Sequence, residues 1–88
     1  MKVYLVHNVY YDYGERDGGS LLLGIYSSME NAISARDNFV AAELAECVSM
    51  DYPAQQTMDA DSNPVIEKFF NDELTEDNTY TIEEWDVQ

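Results

Sequence analysis

Residues 63–74 read NPVIEKFFNDEL, and their secondary structure decides what the rest of the chain must supply to complete a fold. Asn63 before Pro64 makes a favourable N-cap and first helical residue, because proline lacks the N–H that a helix start leaves unpaired anyway. Val65, Ile66, Phe69, Phe70 and Leu74 fall on one side of a 3.6-residue period. The spacing therefore predicts a short helix over about residues 64–74. Just before it, residues 50–62 (MDYPAQQTMDADS) have the composition of a loop. Just after it, Thr79–Val87 has the β-branched and aromatic content of a strand, with Glu84 and Asp86 on one face and Glu83 on the other.

Upstream, residues 28–49 carry a helical stripe in which Ile33, Val40 and Cys47 repeat every seven residues, widened by Met29, Ala32, Phe39, Leu44 and Val48. Ser27 with Glu30 three residues on predicts a capping box at its start. Residues 2–11 (KVYLVHNVYY) predict a strand with Val3, Leu5, His7 and Val9 on one face and Tyr4, Val6, Asn8 and Tyr10 on the other. Apolar residues on both faces point to a central position in a sheet. Asp17-Gly18-Gly19 is the strongest turn signal in the chain, and residues 21–26 (LLLGIY) follow as the return strand of a hairpin with a long loop.

The expected fold is thus α+β, a β-β-α-α-β chain in one domain over residues 1–88 with an acidic insertion at about 50–76. Its three-stranded antiparallel sheet would be ordered second–first–last, with one long amphipathic helix and a short second helix.

Three blocks, MKVYLVHNVY (1–10), LLLGIYSSMENAISA (21–35) and YTIEEWDV (80–87), resemble a small bacterial and phage domain family of uncharacterised function. Its members run hairpin, G-x-Y-S-S-x-E-x-A helix and acidic final strand. The resemblance implies the fold and no activity. It does not extend over residues 50–76.

Charge narrows the functional classes. Eighteen Asp and Glu stand against four Lys and Arg, a net charge of −14. Residues 1–50 hold seven acids and three bases, while residues 51–88 hold eleven acids and Lys68 alone. A small domain needs a net charge of only about 2–8 in magnitude for solubility, and the excess weakens the fold by self-repulsion. Direct nucleic-acid binding is disfavoured, because phosphates must be neutralised by Lys and Arg. Anionic membranes are disfavoured for the same reason, and no apolar run approaches a membrane span. A single cysteine, Cys47, permits no internal disulfide and fits a reducing cytosol, and no signal peptide opens the chain. The expectation is a bacterial cytosolic location.

Catalytic and metal chemistry find little support. Asp59, Asp61 and Asn63 match the opening of a calcium loop, but Pro64 and Phe70 occupy the places of its glycine and bidentate glutamate. Cys47 falls on the apolar stripe of the helix and His7 within a strand, neither with an evident base or orienting partner. Carboxylate pairs arise by chance among eighteen acids, and Gly18-Gly19 precedes a strand rather than a phosphate-binding helix. The sequence predicts no enzyme, cofactor or metal.

Asp72, Glu73, Glu76 and Asp77 at the end of the expected second helix, and Glu83, Glu84 and Asp86 on the last strand, form an acidic run. At a helix C-terminus such acids oppose the dipole, so local stability does not account for them. Carboxylates on rigid elements resemble a phosphate backbone in charge. The predicted function is a non-catalytic protein that occupies the basic surface of a nucleic-acid-binding protein, in the manner of phage DNA-mimic inhibitors of restriction or CRISPR-Cas systems. Asp59 and Asp61 are secondary contacts, and Tyr11 and Tyr13 add apolar anchoring. The alternative is a small regulatory interaction module led by the tyrosine-rich hairpin. An exposed edge strand would also favour a homodimer.

Overall fold

A computed structural model describes all residues, Met1–Gln88. Residues 63–74 are not helical. Pro64–Phe70 is strand β4, and the whole chain runs β1 (Lys2–Asp12), β2 (Asp17–Tyr26), α1 (Met29–Ser49), β3 (Ala54–Met58), β4 and β5 (Glu73–Asp86). The five strands form one antiparallel sheet ordered β2-β1-β5-β4-β3. The expected three-stranded sheet with two helices is therefore corrected to five strands and one helix, still α+β.

The reason lies in what each conformation can bury. An isolated helix of about eleven residues is marginal in water. As a strand, the same segment pairs on both sides, with β3 from Ala54↔Lys68 to Met58↔Pro64 and with β5 from Val65↔Thr79 to Phe70↔Glu73. Ile66 points under α1 and is fully buried, while Val65 takes the other face. Pro64 is tolerated because it opens the strand. Asn71 and Asp72 both have positive φ, 51° and 64°, closing a two-residue β4–β5 hairpin of the kind that needs left-handed backbone at both positions. The loop expected at 50–62 likewise contains β3, and its tip, Asp59–Asn63, is a turn held by Asp59.

The β1–β2 turn lies at Tyr13–Arg16, with Asp12 opposite Asp17. Gly18 and Gly19, expected to form the turn, lie within β2. A Cβ at Gly19 would sit 2.6 Å from the Tyr10 hydroxyl oxygen, so the tyrosine ring lies across bare backbone.

The N-cap of α1 is Ser28, not Ser27. Its hydroxyl accepts from the Asn31 N–H at 3.1 Å. With Ser28 as cap, the third helical residue is Asn31, and Glu30 cannot complete a capping box. The helix ends through Asp51 in a left-handed conformation (φ 53°), with Asp51 N–H donating to Val48 O at 3.2 Å and Tyr52 N–H to Cys47 O at 2.8 Å. This is a Schellman closure with aspartate where glycine is usual. The Tyr52 hydroxyl then lies 3.1 Å from the Thr75 hydroxyl, tying the segment after α1 to the sheet.

The helix packs on one face of the sheet only. Val40 of α1 meets Ile66 and Tyr80, with Leu23, Phe39, Leu44 and Ala54 around them. Val6, Ala32 and Cys47 are also buried, whereas Ile33, Val48 and Met29, expected on the same stripe, are exposed. Leu23 reaches the helix side through a bulge: Val6 pairs Gly24 and His7 pairs Leu22, leaving Leu23 as the extra residue. Only eight residues are buried in all, so the core is a single thin layer.

Candidate functional site

Strand β5 is the spine of the acidic surface. Residues opposite one another in antiparallel strands share a face. Tyr80, which packs on α1, therefore places Glu76, Glu84 and Asp86 on the helix side, and Asp77 and Glu83 on the open side. The expected acids do not form one row. Glu83, Glu84 and Asp86 lie at the end of β5 that pairs with the start of β1, where Lys2 forms an ion pair with Glu84 at 3.5 Å. Asp59 and Asp61 lie in the β3–β4 turn, at the end of β4 away from Asp72 and Glu73. Seven strand residues separate these two turns, roughly 20 Å.

Asp72, Glu73, Glu76, Asp77, Tyr11 and Tyr13 do come together. Register places Asp12 of β1, Glu76 of β5 and Lys68 of β4 in one row across the sheet, and Tyr11, Asp77 and Glu67 in the next. The β1–β2 turn, with Glu15 and Asp17, stands at the same end. So does the last stretch of α1, because Glu43 accepts from the Lys68 ammonium at 2.5 Å. The result is an acidic pole built from both halves of the chain, with only Lys68 and Arg16 as counter-charges. Nothing in the linear pattern marks Asp12, Glu15, Asp17, Glu43, Glu46 and Glu67. The difference between the chain's two halves drew attention to the C-terminal acids, whereas the pole is defined by strand pairing. The helix-dipole argument for Asp72 also falls away: Asp72 is a left-handed turn residue, a conformation aspartate tolerates better than most.

Individual groups at the pole are tied down. The Tyr13 hydroxyl donates to Asp77 Oδ2 at 2.5 Å, and Tyr13 N–H to Thr75 O at 2.9 Å. The Asp77 hydrogen bond, with burial second, pushes the phenol up to about 12. The Tyr11 and Tyr13 rings meet edge to face at 4.8 Å, on the open side of the sheet. Burial works against the Lys68 charge, but the Glu43 hydrogen bond and the fields of Glu43 and Glu76 outweigh it, and its pKa stands above the ordinary lysine value. Glu43, Glu46, Cys47, Met50, Tyr52, Lys68 and Glu76 line a cleft of about 240 Å³ at this end.

Burial pushes the Cys47 thiol up, away from the reactive thiolate. His7 projects from the opposite side of the sheet, as its register with Thr81 and Leu22 requires, so the two do not form a nucleophile–base pair. The carboxylate of Asp59 is occupied by its own turn, accepting from Asp61 N–H at 3.0 Å, Asn63 N–H at 2.8 Å and Asn63 Nδ2 at 3.1 Å. These donors hold its pKa below the usual carboxylate range. No group of three or more His, Cys, Asp and Glu side chains is arranged to hold a metal ion. No helix is long and apolar enough to cross a membrane.

No protein-family model, curated protein or solved structure matches the chain.

Proposed function

We propose that this protein is a non-catalytic binder whose acidic pole seats on the basic surface of a nucleic-acid-binding protein, in the place a phosphate backbone would take. One observation carries the reading: carboxylates from the β1–β2 turn, the start of β5 and the end of α1 converge on one end of the molecule, on elements held by strand pairing. Fixed charges of one sign raise the encounter rate with an opposite surface by about 10–10³-fold at low salt. A restriction or CRISPR-Cas nuclease, with a groove shaped for phosphate, is the class of target the reading names. Tyr11 and Tyr13 stand beside Asp77 and add apolar contact at the edge of the pole.

A second reading, an interaction module led by that tyrosine pair, differs in its salt response. Charge-led binding weakens steeply as salt rises and is displaced by duplex DNA. Tyrosine-led binding persists in salt and is lost with Tyr11→Ala. The deciding experiment captures partners from bacterial lysate at low salt and compares Glu15→Gln/Glu46→Gln/Glu73→Gln with Glu30→Gln/Glu84→Gln/Asp86→Asn. Both triples remove three charges, the first at the pole and the second at the far end. The proposal requires a basic nucleic-acid-binding protein that is lost with the first triple and kept with the second. Equal loss with both, or recovery of no such protein, defeats it.

A further inference from the structure

The face of the sheet opposite α1 has no covering layer, and on its β2–β1 side it is largely apolar. Antiparallel sheets with one wet side usually alternate apolar-in and polar-out. Here β1 turns Val6 toward the helix and Val3, Leu5 and Val9 away from it. Register sets Trp85 beside Val3 and Ile25 beside Leu5, and Leu22 lies next along β2 beside His7. Trp85, Ile25 and Leu22 are 53%, 60% and 51% exposed. Contiguous apolar surface of this kind on a single chain marks an interaction site.

The charges on this face select the occupant. Its acids are Glu83 beside Leu5, and Asp77 and Glu67 toward the pole. None of the four Lys and Arg projects from it. Lys2 and Lys68 point to the helix side, where they pair with Glu84 and with Glu43 and Glu76. Arg36 is on α1, paired with Asp37, and Arg16 is in the β1–β2 turn. Two copies stacked face to face would bring these carboxylates together in a chain already at −14. A cationic partner meets them with opposite charge.

We infer that this open face docks a protein segment of cationic amphipathic chemistry: an apolar ridge for Leu5, Leu22, Ile25 and Trp85, flanked by Lys or Arg for Glu83, Asp77 and Glu67. The inference rests on the proposed basic partner and names the surface that holds it. It adds apolar contact, which salt does not screen, to the charge-led encounter at the pole.

Trp85 is the only tryptophan, so its fluorescence reports on this face directly. The probe is a synthetic Leu/Lys amphipathic helix of about 18 residues, five turns. The control peptide has equal charge, with serine in place of leucine. The Leu/Lys peptide shifts Trp85 emission to shorter wavelength and saturates. The Ser/Lys peptide binds at least about tenfold more weakly. Part of the Leu/Lys affinity survives about 0.5 M salt, where the Debye length is only a few ångströms. Leu22→Asp or Ile25→Asp abolishes the shift, and the milder Leu22→Ser and Ile25→Ser weaken binding stepwise with unchanged circular dichroism.

Equal affinity for the two peptides with Trp85 unmoved overturns the inference and leaves the pole as the contact. A blue shift that follows protein concentration without peptide, with a dimer mass in sedimentation, assigns the face to a second copy and overturns it too. Binding lost in Ile25→Asp but kept in the pole triple supports the face and sinks the phosphate-mimic reading instead.

Discussion

Lys68 is the residue on which the acidic end depends. Its side chain is 16% exposed, and its ammonium lies 2.5 Å from Glu43 and 3.5 Å from Glu76. Replacing it with methionine keeps the aliphatic packing and leaves two carboxylates facing each other beside buried Cys47. The expected loss is about 2–3 kcal/mol in urea unfolding, because removing one member of a partly buried ion pair strands the other. Glu43→Gln in the same background recovers part of it. The pair also sets the alkaline limit. Lys68 has a folded pKa above its unfolded value of about 10.4. Its stabilising contribution is complete below that value and is lost as pH rises through the folded pKa. Tyr80, through burial, and Tyr13, through Asp77, are both raised to about 12 and act in the same direction. Stability therefore falls with rising pH between about 10 and 12. A phenolate absorbance titration is expected to show two late tyrosines. Asp77→Ala returns one toward the ordinary value and leaves Tyr80 late. Both late tyrosines surviving Asp77→Ala would refute the assignment.

The elements record how much of the fold was legible and where legibility ended. α1 could be read because its apolar residues repeat with the helical period: Val40 and Cys47 of the expected seven-residue repeat are buried, while Ile33 is exposed and its neighbour Ala32 takes the buried place. The hairpin of β1 and β2 could be read because Val, Tyr and Leu crowd both strands. The segment 63–74 was ambiguous in physical terms. Val65-Ile66 and Phe69-Phe70, two pairs four residues apart, populate one side of a helix or both sides of a strand. Proline opens either element. The turn that resolves the choice is Asn71-Asp72 rather than Asn-Gly, so its left-handed backbone carries no glycine to advertise it. Strand β3, Ala-Gln-Gln-Thr-Met, alternates nothing, and only its pairing with β4 makes it a strand. The same substitution of aspartate for glycine closes α1. Asp51 holds φ 53° at a position where glycine bears no steric penalty, and it adds a negative charge to the negative end of the helix dipole. Asp51→Gly is expected to stabilise the protein by about 1 kcal/mol, roughly 4–8 °C in Tm for a domain of this size. No rise on thermal unfolding would show that the Schellman closure is not formed.

At the scale of the molecule, sheet pairing does to the charge what composition could not foretell. The difference between the halves of the chain drew attention to residues 51–88, yet Glu83, Glu84 and Asp86 end up at one end of β5 and Glu73, Glu76 and Asp77 at the other. The pole takes Asp12, Glu15 and Asp17 from the first hairpin, because β1 lies beside β5 and runs antiparallel to it. This crowding rests on a thin core with eight buried residues, so repulsion at the pole is a large term for so small a fold. The neutralised pole triple, Glu15→Gln/Glu46→Gln/Glu73→Gln, is therefore expected to melt a few degrees higher than the native chain in low salt. The far-end triple, Glu30→Gln/Glu84→Gln/Asp86→Asn, gains less, since Lys2 already offsets Glu84 there. The gap between the two triples closes at about 1 M salt, where the Debye length is about 3 Å. A gap that persists in high salt would mean that packing, not charge, distinguishes the two ends. A pole maintained at a cost in stability, when three glutamines would relieve it, is what selection for a basic partner requires.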